Sequence, residues 1–449
     1  MIPFTRAQAR DFGALLAKCA TGRPRGPGPP VHVRVRDGVR TLDAIAPSGV
    51  RLAHTTLAEG APDARFLFPF EVPTACAGAS DEPVVLEPQS KTRATAHWSD
   101  AEGRRVLPVE LLLPGKQHEL PELPALAPVK PELLVALHEC GRTTARDDGR
   151  FALSRVQVRG ATGMVIGTDG RTALLWAGFE FPFADPVLVP ALAVFGAKPL
   201  ANAIDVRVGH TVEYLVVSAG PWAVWLPTDA KAKYPDVPAV VPRRTPTTVE
   251  LDPHDAAALT AALPTLPGVE HESRPVTLAV TTDSRACVRA ASDGTVKSVA
   301  LARSAVRGSA AQIALDRRAV LRALALGCRT VQLGAPDTPA TYTTADRTFV
   351  VAALSADLVV PDTAEPAPTP THKPERSVPV KPDPAAPARG DPPNAPDPLD
   401  LAESLRVALA EAAATAAKLV AALRHSKREK KALATVLTGL KQLNLGGAP

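Results

Sequence analysis

Apolar positions along the chain follow two periods. Residues 5–20, 131–144 and 253–263 read as helical stretches, the first two with apolar side chains three and four apart, the spacing of a single buried helix face. Between these stretches the period drops to two. In Val31–Arg36, valines alternate with His32, Arg34 and Arg36, and residues 212–217 and 276–280 behave alike, as short strands do. Residues 312–316 read as a strand that runs straight into a second helix over 317–326. The same order of elements returns along the chain, so an internal repeat is expected. Residues 120–128 (LPELPALAP) and 234–242 (YPDVPAVVP) differ only by conservative exchanges at a spacing of 114 residues. A second echo sets residues 65–73 (RFLFPFEVP) against 178–186 (GFEFPFADP). The expected organisation is three copies of one helix-then-strands unit, each roughly doubled within itself, at 1–128, 129–245 and 246–358.

The pattern changes beyond residue 358. Residues 359–398 are dominated by Pro, Ala, Asp and Thr and hold too few large apolar side chains for a core, so an extended, partly polyproline linker is expected. At about 3.1 Å per residue its reach is on the order of 100 Å. Residues 399–442 contain no proline and carry Leu401, Leu405, Leu419, Leu423, Leu433, Leu437 and Leu440 near helical spacing, which predicts an amphipathic helical tail. Its basic run, Lys427-Arg428-Glu429-Lys430-Lys431, reads as a solvated face beside a leucine stripe that suits a coiled coil or helix hairpin.

Composition narrows the class. With 449 residues, 45% apolar and 22% charged, the chain is long enough for about three domains and too apolar to be wholly disordered. Its longest apolar stretch, near 186–195, is short and holds Pro190, so no membrane-spanning helix is expected. Arg6, Arg10 and Asp11 precede any apolar run, unlike a secretory signal. Five cysteines (Cys19, Cys76, Cys140, Cys287 and Cys328) are scattered, odd in number and without a CxxC pair. They read as reduced core residues of a cytoplasmic protein. A net charge of +5 allows a polyanionic partner without requiring one. HExxH, GxSxG and phosphate-loop motifs are absent, and Gly196-Ala197-Lys198 lacks the upstream glycine of a phosphate cradle. His138, Glu139 and Cys140 are adjacent on a predicted helix and so point in different directions. The expectation is a non-enzymatic protein with no cofactor and no metal.

Several of these segments, in order, resemble the bacterial DNA polymerase III β subunit, the sliding clamp. They are the strand at residues 150–154, the Thr168-Asp169-Gly170 turn, residues 187–191 (VLVPA), Tyr234-Pro235-Asp236 leading to Val240-Val241-Pro242, and the last strand at residues 349–354. The resemblance spans about residues 1–358. It implies an α+β fold of three tandem clamp-type domains, each with two helices backed by antiparallel sheets. Two chains would close head to tail around double-stranded DNA as a homodimer ring. The implied function is a DNA polymerase processivity factor that tethers polymerase through a hydrophobic peptide cleft, with a clamp loader as a further partner. A blander reading is an unrelated all-β or α+β repeat protein. Another is a divergent clamp paralogue or adaptor that recruits a dedicated partner through its C-terminal helix.

The resemblance also assigns sites. Cations that slide on phosphates without reading bases are expected from the helices: Arg6, Arg10, Lys18, Arg142, Arg146, Lys198, Arg317, Arg318 and Arg322. The helix at 253–263 has no Lys or Arg and would contribute nothing. The peptide cleft maps to Leu153, Thr168, Gly170, Arg171, Pro235, Val240, Val350, Val351 and Leu354. Two departures alter it: the turn is followed by Arg171-Thr172-Ala173 where the family has a His-Arg-Leu run, and Ala352-Ala353-Leu354 lacks the family's proline and methionines. Gln442-Leu443-Asn444-Leu445 resembles the peptides that dock in such clefts, without the final aromatic, so self-docking of the tail is an expectation.

Overall fold

The computed structural model describes residues 2–20, 28–147, 151–243 and 245–361. The proline-rich linker, the helical tail, the basic run 427–431 and Gln442–Leu445 lie outside the described residues.

The first string of elements is β1 (Ile2–Thr5), α1 (Arg6–Lys18), β2 (Val31–Arg36), β3 (Val39–Ile45), β4 (Arg51–Leu57), β5 (Ala64–Phe68), α2 (Glu71–Cys76), β6 (Pro83–Pro88), β7 (Arg93–Asp100) and β8 (Gly103–Glu110). The second is β9 (Ala127–Val129), α3 (Glu132–Arg142), β10 (Arg155–Arg159), β11 (Met164–Thr168), β12 (Thr172–Trp176), β13 (Pro186–Pro190), α4 (Lys198–Ala201), β14 (Val206–His210), β15 (Tyr214–Ala219) and β16 (Trp222–Pro227), followed by the short α5 (Val237–Val240). The third is β17 (Thr247–Glu250), α6 (Pro253–Ala262), β18 (Pro275–Val280), β19 (Ala286–Ser292), β20 (Thr295–Ala300), β21 (Ala305–Gly308), β22 (Ala311–Asp316), α7 (Arg317–Ala325), β23 (Thr330–Leu333), β24 (Ala340–Thr343) and β25 (Arg347–Val351). The order strand, helix, four strands, helix, three strands thus occurs three times, with β21 added in the third.

Local chemistry accounts for the helices. Thr5 caps α1 with a reciprocal pair of bonds to Gln8, at 3.0 and 3.1 Å. Ala9, Phe12, Leu15 and Leu16 then form its buried face. Asp252 and Asp316 cap α6 and α7 by accepting from the backbone N–H of His254 and Arg318. Gly167 in β11 lets α3 approach closely: a Cβ there would stand 2.1 Å from the Cys140 carbonyl oxygen. One continuous core lies between the helices and the sheets. All five cysteines are free; Cys19, Cys76, Cys140 and Cys328 are buried and Cys287 is half-buried.

Each string builds two four-stranded sets. One joins the opening strand to the last three, as in β1-β6-β7-β8; the other follows the order β5-β2-β3-β4. Neighbouring strings fuse through these sets. Strand β4 pairs with β16, and β12 pairs with β25, giving an eight-stranded and a nine-stranded sheet. Both junctions share one register. Count each strand from the residue that closes its hairpin: Val50 and Thr172 on one side, Trp222 and Arg347 on the other. The third residue then faces the third, as Leu52 faces Val224 and Leu174 faces Phe349. Strand β8 is the counterpart of β16 and β25, and β20 of β4 and β12. Among the described residues neither has a strand on its outer side.

Several expectations are corrected. Each opening helix is preceded by a short strand (β1, β9, β17), too brief to show a period in sequence. The strand expected at 212–217 lies at Tyr214–Ala219. The echo between 65–73 and 178–186 is not structural: the first is β5 running into α2, whereas residues 178–185 form a loop ahead of β13. The 120–128 and 234–242 echo holds in placement but not position by position, since Val240, the counterpart of the packed Leu126, is exposed and only the second segment carries a helix, α5. Leu120 and Leu126 pack on Ala53, Val216 and Trp225 at the first junction, while Tyr234, Val237 and Val241 pack on Ile166, Ala173, Leu175 and Val350 at the second. Among the described residues no helix is long and apolar enough to cross a membrane.

Candidate functional site

The second junction, where β12 meets β25, gathers most of the residues assigned to the peptide cleft. Its centre is the turn between β11 and β12. The Thr168 hydroxyl donates to the Thr172 carbonyl at 2.7 Å and accepts from the Gly170 N–H. Asp169 Oδ1 accepts from the N–H groups of Arg171 and Thr172 at 2.9 and 2.6 Å. Gly170 sits at φ +86°, a conformation that only glycine takes cheaply. A Cβ built there would touch Leu153 Cδ1 at 3.7 Å. The Ala352 N–H donates to the Arg171 carbonyl at 2.8 Å, so the turn is tied to the end of β25.

Beside the turn is an apolar shelf of Ile166, Ala173, Leu175, Val237 and Val350, flanked by Met164, Tyr234 and Val241. The Tyr234 hydroxyl donates to the Ile166 carbonyl, and burial raises its pKa, so it stays protonated. Pro235 opens the tight turn into α5, where Val240 is 59% exposed. On the other side of the turn is a crevice of about 590 Å³ lined by Arg171, Thr172, Arg318, Arg322, Ala352 and Leu354, among others.

Of the assigned residues, Val350 lies on the shelf, Thr168 and Gly170 form the turn, and Arg171, Val351 and Leu354 line the crevice on its other side. Val351 is 1% exposed and packs with Phe349 into the core under the helices, because side chains alternate across a strand and Val350 already takes the outer face. Ala173, Leu175, Ile166, Tyr234 and Val237 were missed. The available signal was that same alternation, read outward from the Thr168-Asp169-Gly170 turn.

The assigned cations separate into free and committed groups. Lys18, Arg146 and Lys198 are exposed and have no ion pair among the described residues. Arg142 is exposed but reaches Glu139 at 3.2 Å, and Arg10 pairs with Asp11. Arg318 is held on the capping Asp316 and the Glu272 carbonyl. Arg6 donates to the carbonyls of Cys76, Ala77 and Ser99, which fastens α1 to the end of α2 and to β7. Arg322 bridges two strings: it donates to Glu139 Oε2 at 2.9 Å, to the Glu139 carbonyl and to the Thr143 hydroxyl. Arg317 is a correction. It is 2% exposed, and its guanidinium donates to the carbonyls of Leu263, Leu266, Pro267 and Arg274, so it braces the loop after α6 and faces no solvent. Sequence reasoning could not separate these groups, since helix periodicity places Arg317 beside Arg318 without showing which points inward.

Two crevices border α3. One, of about 930 Å³, is lined by His138, Arg142, Arg146 and Arg155 with Asp147. Burial lowers the His138 pKa despite the neighbouring Glu139, which keeps the ring neutral. The other, of about 500 Å³ between α3 and α7, contains Glu139, Arg142, Arg322 and Arg347. There the Arg347 guanidinium lies 4.0 Å above the Trp176 ring, and Trp176 donates to Asp346. No cluster able to hold a metal ion occurs among the described residues.

No family model matches the sequence. No curated protein matches it either. Solved structures do match in fold. The DNA polymerase sliding clamp from Pseudomonas aeruginosa aligns over 79% of this chain and 99% of its own, with a TM-score of 0.65 and 16% identity. The DNA polymerase III β subunit from Thermotoga maritima aligns over the same shares, at TM-score 0.62 and 15% identity. The Helicobacter pylori β clamp, solved bound to a DNA ligase peptide, also covers these shares, at TM-score 0.60 and 12% identity. The chain therefore has the fold of bacterial sliding clamps, at a sequence distance where fold is all that the likeness conveys.

Proposed function

We propose that this clamp-fold chain is a non-enzymatic processivity factor. Two copies would close head to tail around duplex DNA and tether a polymerase through the shelf and crevice at the β12–β25 junction. The observation that carries the reading is the shared register of the two internal junctions. Whatever makes β4 accept β16, and β12 accept β25, leaves β20 needing a strand like β8, and β8 needing one like β20. A second copy supplies both, and a closed ring leaves no edge open for runaway assembly. On this reading the three strings are three domains, at 1–128, 129–245 and 246–358. The helices line the inside, and Lys18, Arg142, Arg146, Lys198 and Arg318 contact phosphates without reading sequence. Tethering raises the effective concentration of polymerase at the primer end.

The test is retention on DNA. The chain, closed on circular duplex, should be lost when the circle is cut. Reversing Lys18, Arg146 and Lys198 to Glu should flatten the salt dependence of binding by about three counterions. Equal retention on circular and linear DNA would overturn the encirclement.

A second reading is a clamp-fold adaptor with a dedicated partner. The exposed side of α6, which is His254, Ala257, Ala258 and Ala261, favours it because it offers phosphate no fixed cation. Retention that ignores salt and topology would support that reading.

A further inference from the structure

Strand β8 carries a residue that an edge meant for pairing does not ordinarily tolerate. Pro108 faces Thr95 within an unbroken ladder from Arg93–Glu110 to Asp100–Gly103. Proline has no N–H, so Pro108 can stand only where the backbone of β8 points away from β7. The outward positions of β8 are therefore Arg104, Val106, Pro108 and Glu110, and the third of these offers no donor.

The shared junction register says where an incoming β20 would lie. Asp100–Gly103 and Ser292–Thr295 close the two hairpins, so counting starts at Gly103 and Thr295. Carrying the register across sets Val296 opposite Val106, Lys297 opposite Arg105, Ser298 opposite Arg104 and Val299 opposite Gly103. Two independent features agree with this placement. Val106 and Val296 are the exposed large apolar side chains of the two edges, at 56% and 40%. Arg105 is already paired with Asp100 and Glu102, which gives the incoming Lys297 carboxylates to face.

We infer that Pro108 is a register stop for self-association, confining β20 of a second copy to Gly103–Leu107 and seating its Val296 on Val106. The inference rests on the ring reading and adds a device to it. Sliding β20 by one residue would flip its faces. Sliding it by two toward the end of β8 would set Val296 against Pro108, where its carbonyl meets the ring and finds no donor. Sliding it two the other way runs it off Gly103 into the hairpin turn. A single pairing remains, and a slipped, open-ended assembly is excluded.

The test uses the full chain in a Cys287→Ser background with paired cysteines. Residues opposite each other in this register have Cα atoms about 5.5 Å apart, within disulfide reach. Val106→Cys with Val296→Cys should form an intermolecular disulfide. Val106→Cys with Ser298→Cys, which reads the two-residue slip, should link about tenfold less, as one lost bond and one stranded carbonyl require. Adding Pro108→Val should raise the second yield to the level of the first. The inference is overturned if the two pairs link equally with Pro108 present, a comparison that stands whether or not the Pro108→Val chain folds. It is also overturned if a folded Pro108→Val chain leaves the yields unchanged. If neither pair links and the chain sediments as a monomer, the ring reading itself has failed.

Discussion

His54 makes the first junction sensitive to acid. It lies in β4 opposite Trp222 of β16, 5% exposed, with its ring centroid 4.2 Å from the indole and its Nδ1 buried without a hydrogen-bond partner. Burial, reinforced by the charge of Arg40 and partly countered by Asp11, pulls its pKa from 6.5 down to about 4. Above pH 6.5 the ring is neutral whether the chain is folded or not, so it makes stability no function of pH. Below 6.5 the unfolded chain takes up a proton that the folded chain refuses. Stability then falls by up to about 1.4 kcal/mol per pH unit until the folded pKa is reached. The full loss is on the order of 3 kcal/mol by pH 4, with no further loss from this group below that. The assay is urea unfolding followed by tryptophan fluorescence at a series of pH values, for the parent and for His54→Phe, which keeps a ring against Trp222. Carboxylates and the other histidines act in both chains and cancel in the difference. The stability difference should be constant above pH 7 and should shift in favour of His54→Phe by roughly 3 kcal/mol at pH 4. A difference that stays level from pH 7 to pH 4 would refute the assignment of a buried, neutral His54.

Two further substitutions separate structural from binding roles. Arg317→Met strands the carbonyls of Leu263, Leu266, Pro267 and Arg274. It should cost about 3 kcal/mol in urea unfolding while leaving the salt dependence of DNA retention as in the parent. Glu139→Gln leaves the Arg322 guanidinium without its charged partner between α3 and α7. It should cost about 2 kcal/mol, and the deficit should shrink in an Arg322→Met background, where there is no charge left to strand.

Much of the architecture was legible without coordinates. The helix periods at 5–20 and 131–144 mark α1 and α3, because a helix that covers a sheet must keep one apolar face, and that face is written locally; α6 carries alanines on its buried and exposed sides alike and is marked by Pro253 in its first turn and by its alanine content. The echo of 120–128 in 234–242 survived for a similar reason: both segments cover the outer side of an equivalent junction with apolar side chains, Leu120 and Tyr234 at matching positions. The Thr168-Asp169-Gly170 turn was readable because its side-chain bonds close within five residues. The echo of 65–73 in 178–186 misled because aromatic residues and prolines suit a strand end and a loop equally well. Which arginines are free was not legible at all. Arg317 and Arg318 are neighbours with the same charge, and only the packing of the loop after α6 turns one inward. The pairing of β4 with β16 and of β12 with β25 joins residues far apart in the chain, so no local pattern encodes it. The amino-acid order determined the units and their faces, since those depend on near neighbours along the backbone. The tertiary structure decided the junction register, the side of β25 on which Val350 lies, and the strand edges left open, since those depend on which surfaces meet.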